Sequence, residues 1–139
     1  MERQGRFAPE TPAEARELYE TVGPAAQTAV REVAKSMAFD REEYADRVTS
    51  DVVETARDAI FASLLQVTVG TREEFEEWRA TYEGELFEEG HEAVDNVVWH
   101  AGPDDVAVAA TFQDEEDAAI ATLRRIAFGR LYRELFEGE

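Results

Sequence analysis

Apolar residues recur at helical spacing through the first third of the chain. Residues 11–14 read Thr-Pro-Ala-Glu, which has the form of a capping box with proline in the first turn. Gly23-Pro24 interrupts the pattern that follows, and a second apolar row begins after it. The members of that row are Ala26, Val30, Val33, Ala34 and Met37. The spacing predicts two consecutive helices.

A longer stripe comes next. Asp40 and Glu43 form a second capping box, and Phe39 and Tyr44 stand at the positions of a hydrophobic staple around it. One apolar stripe then continues at helical spacing, made of Tyr44, Val48, Val52, Ala56, Ile60 and Leu64. This stripe predicts one long third helix from residue 40 to about 64.

The helical spacing of apolar residues is interrupted in the central part of the chain. Residues 66–69 are rich in β-branched side chains, a pattern that fits either a short strand or the end of the preceding helix. Thr71 and Glu74 form a third capping box, and Phe75, Trp78 and Tyr82 then share one face. These residues predict a short fourth helix whose aromatic side chains pack on the core.

The remaining elements define the fold class. Residues 94–100 and 106–112 are prone to form strands and are separated by a turn sequence, which predicts a hairpin. The acidic residues 114–117 open a last helix with an inward row of Ile120, Leu123, Ala127, Leu131 and Leu135. We therefore expect a single α+β domain over residues 1–139, dominated by about five helices with a small antiparallel hairpin or sheet. Residues 1–10 are expected to be an N-terminal arm, and residues 83–92 an acidic loop.

The charge of the chain indicates its solvent more than its chemistry. It carries 32 acidic against 14 basic residues, a net charge of −18, and Lys35 is the one lysine. Such a charge is tolerated when concentrated salt screens it, so we predict a halophilic protein. The same charge repels polyanions, so nucleic acid is not an expected partner. With no targeting segment or long apolar run, we expect a soluble cytoplasmic protein without membrane contact.

Three long strings of the sequence carry a family resemblance. They are GPAAQTAVREVAKSMAFDREEY, VGTREEFEEWRATY and VAVAATFQDEEDAAIATLRRIAFGRLYR. Together they resemble a small family of acidic haloarchaeal proteins of about 140 residues whose function is unknown. The resemblance implies an archaeal, halophilic origin and carries no catalytic or ligand-binding residues with it.

No combination of residues has the spacing of a catalytic or metal site. The two histidines, His91 and His100, are nine residues apart and match no zinc-binding motif. The chain has no cysteine, and its glycines fit no nucleotide-binding pattern. The sequence therefore predicts no metal, no cofactor and no catalytic residue, and the protein is not expected to be an enzyme.

The last helix suggests an interaction function, because it is apolar outside its inward row as well. The additional apolar residues are Ile126, Phe128, Tyr132 and Phe136. A helix that is apolar on two sides is buried in a core or at a subunit interface, so we predict a protein-interaction or self-association domain, with a homodimer or another protein as partner.

A small-molecule-binding protein or enzyme is the alternative hypothesis, with a pocket formed by Trp78, Tyr82, Trp99 and His100. A third interpretation, a salt-dependent regulator that reaches nucleic acid through a basic partner, remains open.

Overall fold

The computed structural model describes residues 1–137 and shows an α+β fold, as the sequence predicts. The helices are α1 (Pro12–Thr21), α2 (Gly23–Ser36), α3 (Arg41–Arg47), α4 (Ser50–Ser63), α5 (Arg72–Thr81), α6 (Glu116–Ala127) and α7 (Arg133–Glu137). The strands are β1 (Glu2–Gln4), β2 (Val67–Thr71), β3 (Glu85–Glu89), β4 (Asn96–Ala101) and β5 (Val106–Phe112). None of the helices in residues 1–137 is long and apolar enough to cross a membrane.

The contacts within the chain divide it into two units. We call residues 17–61 the helical unit, and residues 1–16 together with the described residues from 62 onward the sheet unit. The helical unit contains the end of α1, all of α2 and α3, and most of α4.

A tyrosine joins α1 to α4 within the helical unit. The Tyr19 hydroxyl donates a hydrogen bond of 2.6 Å to Asp58 Oδ1. Arg57 Nε donates to the Tyr19 carbonyl at 2.9 Å, and the Arg57 guanidinium lies 4.0 Å from the centroid of the Tyr19 ring. Burial and the neighbouring Asp58 carboxylate raise the pKa of Tyr19, so this hydroxyl stays protonated and keeps donating.

The prediction of one long helix over residues 40–64 is wrong, because the segment is two helices. The chain leaves helical geometry at Val48, where φ is −95° and ψ is 84°. Thr49 then accepts a hydrogen bond from the Val52 amide through Oγ1 at 3.3 Å and so caps the start of α4. The apolar stripe crosses this break without a gap, and for that reason its periodicity does not reveal it.

The sheet unit is built on one mixed sheet with the strand order β1-β2-β4-β5-β3. The predicted hairpin is confirmed as the antiparallel pair β4 and β5, with Val98 opposite Ala110. Residues 67–71 form a strand rather than a helix end, and β2 lies antiparallel between β1 and β4.

Both edges of the sheet differ from the prediction. The expected N-terminal arm contains β1, which pairs antiparallel with β2. The expected acidic loop contains β3, which pairs parallel with β5, with Glu85 opposite Val106. An edge strand keeps charged side chains in solvent and needs few inward apolar residues, so Leu86 alone anchors β3 against the aromatic core.

The two faces of the sheet carry different helices. Successive residues of β4 point to opposite faces, so Trp99 and His100 lie on different sides. Trp99 packs against Phe75 of α5, whose ring centroid is 5.2 Å away. His100 faces the segment after α6 instead, where it bonds to Tyr132. The predicted capping box of α5 is confirmed, since both Thr71 and Glu74 make their reciprocal hydrogen bonds.

The end of the last helix changes its pitch. After α6, residues 128–132 form a π-helical segment, in which each turn contains an additional residue. The buried row therefore runs through Leu123 and Ala127 and then to Tyr132, one position beyond the predicted Leu131. Tyr132, which the spacing places outside the inward row, is therefore part of that row, and Phe128 is buried as well.

Candidate functional site

Exposed apolar side chains are concentrated in the helical unit. Six large apolar residues are exposed among residues 1–137, and four of them belong to this unit: Val33, Met37, Tyr44 and Val52. Val33 is 58% exposed and Met37 59%, values unusual for apolar residues that follow one another on the same helix face. A clustered apolar surface of this kind marks a contact site more often than a chance exposure does.

Three of these residues, Val33, Met37 and Val52, line a groove of about 420 Å³ between α2, α3 and α4, which we call the α2–α4 groove. Its lining residues are Ala29, Val30, Val33, Ala34, Met37, Phe39, Arg47, Val48, Val52, Thr55, Ala56 and Ala59. Ala34 is buried and Ala56 half-buried, whereas Val33, Met37 and Val52 are exposed. Ala34 and Ala56 thus lie at the bottom of the groove, and Val33, Met37 and Val52 at its rim.

One charged residue lines the groove. Arg47 is the last residue of α3, and its guanidinium lies 5.7 Å from the centroid of the Phe39 ring, a cation–π distance. Within residues 1–137, no carboxylate oxygen lies within 4.0 Å of this guanidinium. The groove therefore combines an apolar interior with a single positive group that lacks a carboxylate partner in the described part of the chain.

The helices around the groove are less acidic than the rest of the chain. Residues 23–63, which include α2, α3 and α4, contain five basic and eight acidic side chains, a net charge of −3, whereas the whole chain carries −18. They also contain Lys35, which lies 3.4 Å from Glu32 in an exposed pair. A second protein surface therefore meets less net repulsion here than the average over the chain would give.

The structure brings together three of the four residues predicted to form a pocket. Trp78 stacks on Tyr82 with centroids 4.6 Å apart and lies 5.6 Å from Trp99. The rings of Trp78 and Trp99 belong to the aromatic core around Phe75 between α5 and the sheet. His100 lies on the opposite face, so the four side chains do not converge on one cavity, and none of them lines the α2–α4 groove.

His100 is a buried structural residue. It is 1% exposed, its Nδ1 lies 2.6 Å from the Gln66 carbonyl, and its Nε2 lies 2.6 Å from the Tyr132 hydroxyl. A carbonyl can only accept, so Nδ1 carries the proton and Nε2 accepts from Tyr132. Burial, with the nearby Arg124 charge, lowers the pKa of His100 to about 4. Both ring nitrogens are thus occupied and shielded from solvent.

An arginine completes this buried cluster. Arg124 Nε donates to the Leu65 carbonyl at 2.9 Å, and Nη2 donates to the Gln4 carbonyl at 3.3 Å. Gly5 comes next in the chain with a φ of 103°, and a Cβ at this position would clash with the Leu65 carbonyl oxygen, so no other residue fits. The cluster holds β1 and the start of β2 to α6, which is a structural role.

The residues predicted as an interface are largely covered by the chain itself. Phe128 and Tyr132 are buried, and Ile126 and Phe136 are half-buried. The Phe136 ring lies 6.0 Å from that of Phe128 and 6.1 Å from that of Tyr132. These four side chains thus contact other parts of the same chain, and their role at an interface stays a prediction.

The α2–α4 groove was missed as a site although its residues stood out in the sequence. Val30, Val33 and Met37 form the second apolar row, and Val48 and Val52 belong to the long stripe. Apolar periodicity shows that a face is apolar, not that something covers it. The lower net charge of this segment is a weak signal, because residues 118–133 contain four basic and no acidic side chains.

No site in the described residues resembles a metal centre. No group of three or more histidine, aspartate or glutamate side chains within residues 1–137 is arranged to hold a metal ion. The acidic residues of β3 pair with arginines instead: Glu88 accepts from Arg72 at 2.8 Å, and Glu89 lies 3.9 Å from Arg130.

Fold and surface together define a small α+β protein with an open apolar groove on its helices. Residues 6–133 match the family of unknown function DUF5809, and the chain belongs to that family. Comparison with curated proteins and with solved structures gives no match to either.

Proposed function

We propose that this protein is a non-catalytic interaction domain that self-associates through the α2–α4 groove. The observation that carries the proposal is the concentration of exposed apolar side chains, Val33 and Met37 above all, around an apolar groove in the helical unit. An exposed cluster of this kind is stabilised when another surface covers it.

A second copy of the chain fits the shape of this surface. The groove has small residues such as Ala34 and Ala56 at its bottom, and the larger Val33, Met37 and Val52 project beside it. A two-fold axis through the face brings the projecting side chains of each copy to the groove of the other. Such isologous contacts generate cyclic dimers, the commonest soluble oligomers.

Charge also favours a second copy at this position. The net charge of −3 over residues 23–63 repels a second copy less strongly than the rest of the chain does, while the remaining acidic surface of each copy still repels the other. This remaining repulsion is screened by salt, with a Debye length of about 10 Å at 0.1 M and about 3 Å at 1 M. We therefore infer a halophilic protein whose self-association strengthens as salt concentration rises.

Sedimentation equilibrium over a range of protein concentrations in 2 M KCl tests the proposal. We expect a reversible monomer–dimer equilibrium for the wild type and a substantially weaker one for Met37→Glu, which places a charge at the centre of the proposed contact. The matched control is Phe87→Glu, because Phe87 is also an exposed apolar residue (36%) but lies on β3 of the sheet unit.

The comparison of Met37→Glu with Phe87→Glu shows which unit contains the contact. Self-association that persists in Met37→Glu and is lost in Phe87→Glu would move the contact to the sheet unit. A wild-type protein that stays monomeric at millimolar concentration in 2 M KCl would refute the proposal outright.

A further inference from the structure

We infer that the α2–α4 groove also binds an anionic amphiphile, whose apolar chain lies in the groove and whose head group contacts Arg47. This inference deepens the proposed function, on which it rests in assigning the groove as the binding surface, and it adds a small ligand that competes with the second copy. The juxtaposition of an apolar groove with one arginine supports it.

The size and lining of the groove suit a small apolar ligand. Its volume of about 420 Å³ falls within the roughly 300–1,000 Å³ typical of ligand sites. Apart from Arg47 and Thr55, every residue that lines it is apolar. An alkyl chain gains from burial here without leaving a polar group unsatisfied.

Arg47 determines the charge of the ligand. Arg47 is exposed, its guanidinium lies 5.7 Å from the centroid of the Phe39 ring, and it has no carboxylate partner within the described residues. Carboxylate and phosphate groups bind guanidinium through paired charge-assisted hydrogen bonds. A cationic head group would instead be repelled at this position.

Because of the net charge of the chain, a preference for an anionic amphiphile is informative. A surface of −18 attracts cations and repels anions over long distances, so non-specific binding favours a cationic amphiphile. Binding that favours an anionic amphiphile must therefore come from a local positive group. Since an amphiphile in the groove occupies the surface that the second copy needs, it also shifts the protein toward monomer.

Titration calorimetry in 1 M KCl, with both amphiphiles below their micelle concentrations, tests the inference with decanoate and decyltrimethylammonium as probes. We expect decanoate to bind wild-type protein more tightly than decyltrimethylammonium. Arg47→Gln should weaken decanoate binding roughly tenfold, the loss expected for one charge-assisted contact. Arg41→Gln is the matched control, because Arg41 is an exposed residue of the same helix that does not line the groove. It should leave decanoate binding unchanged.

Equal binding of the two amphiphiles, or equal losses in Arg47→Gln and Arg41→Gln, would overturn the inference. Its failure is distinguishable from that of self-association. A protein that dimerises but binds no decanoate retains the proposed function and loses the ligand. A protein that stays monomeric but binds decanoate through Arg47 retains the ligand and loses the dimer.

Discussion

The two units of this protein contain similar apolar side chains and use them in opposite ways. In the sheet unit, Phe75 and Trp99 are buried in an aromatic cluster, and His100 satisfies both ring nitrogens within the chain. In the helical unit, Val33 and Met37 remain exposed beside a groove. The first arrangement is complete in the isolated chain, whereas the second gains stability only when something else covers it.

This difference distinguishes the residues that stabilise the fold from the residues that are available for interaction. The aromatic residues of the sheet unit are more conspicuous in the sequence, but their rings pack on one another and leave no shared cavity with His100. The side chains of Val33 and Met37 in the helical unit are less conspicuous in the sequence, but the fold leaves them exposed. Burial, rather than residue type, is therefore what distinguishes the proposed contact surface.

The largest expected effect is the loss of stability when a side chain in the core of the sheet unit is truncated. We expect Phe75→Ala to lower the free energy of unfolding by about 4 kcal/mol, because it leaves a cavity against Trp99. Met37→Ala removes an exposed side chain and should change the same quantity by less than about 0.5 kcal/mol. Urea unfolding at one fixed KCl concentration, with the protein dilute enough to be monomeric, measures both. Similar losses of unfolding free energy in the two variants would contradict the difference between a buried core in the sheet unit and an exposed surface in the helical unit.

A smaller effect concerns the pH dependence of the sheet unit. The pKa of His100 is lowered from 6.5 to about 4 on folding, so the folded protein binds the proton less readily than the unfolded chain. The stability from the neutral imidazole is therefore present above about pH 6.5 and is lost as pH falls through 6.5 toward 4. Between pH 7.5 and 4.5 this loss amounts to roughly 2–3 kcal/mol.

The variant His100→Gln isolates that contribution, because its carboxylates titrate as in the wild type. We expect the variant to be less stable at pH 7.5 and the gap between the two proteins to narrow toward pH 4.5. The measurement is the free energy of unfolding in urea at both pH values. A gap that stays constant over this range would show that His100 does not titrate on unfolding as we describe.

The smallest effect tests the break between α3 and α4 in the helical unit. Thr49→Ala removes the hydroxyl that accepts the Val52 amide, and we expect it to lower the free energy of unfolding by about 1 kcal/mol. Thr49→Ser keeps the acceptor and serves as the control. Equal losses in the two variants would mean that the cap contributes little and that the break has another cause.

The predictions from sequence succeed where the signal is local. The capping boxes at Asp40 and Thr71 form as predicted, since each depends on side chains only three residues apart. The hairpin of β4 and β5 follows from alternating apolar residues beside a turn. These features need no knowledge of distant parts of the chain.

The errors arise where a local pattern has two structural solutions. The stripe through Val48 continues across a helix break, and the apolar residues after Ala127 fit either two helix faces or one row shifted by a π-helical segment. The glutamates of β3 give this segment the composition of a loop. It is an edge strand, and its partner β5 is distant along the chain. Whether a face such as that of Val33 and Met37 is covered also depends on the rest of the fold, which periodicity alone does not contain.

We propose the helical unit, and not the sheet unit, as the contact surface of this protein. The chain has two methionines, Met37 at the rim of the groove and Met1 in the sheet unit, so the methyl resonances of methionine report on both units in one spectrum. We expect the Met37 methyl signal to shift with protein concentration in 2 M KCl while the Met1 signal stays fixed. A dilution series in which Met37 stays fixed, or in which Met1 shifts as much as Met37, would contradict the account.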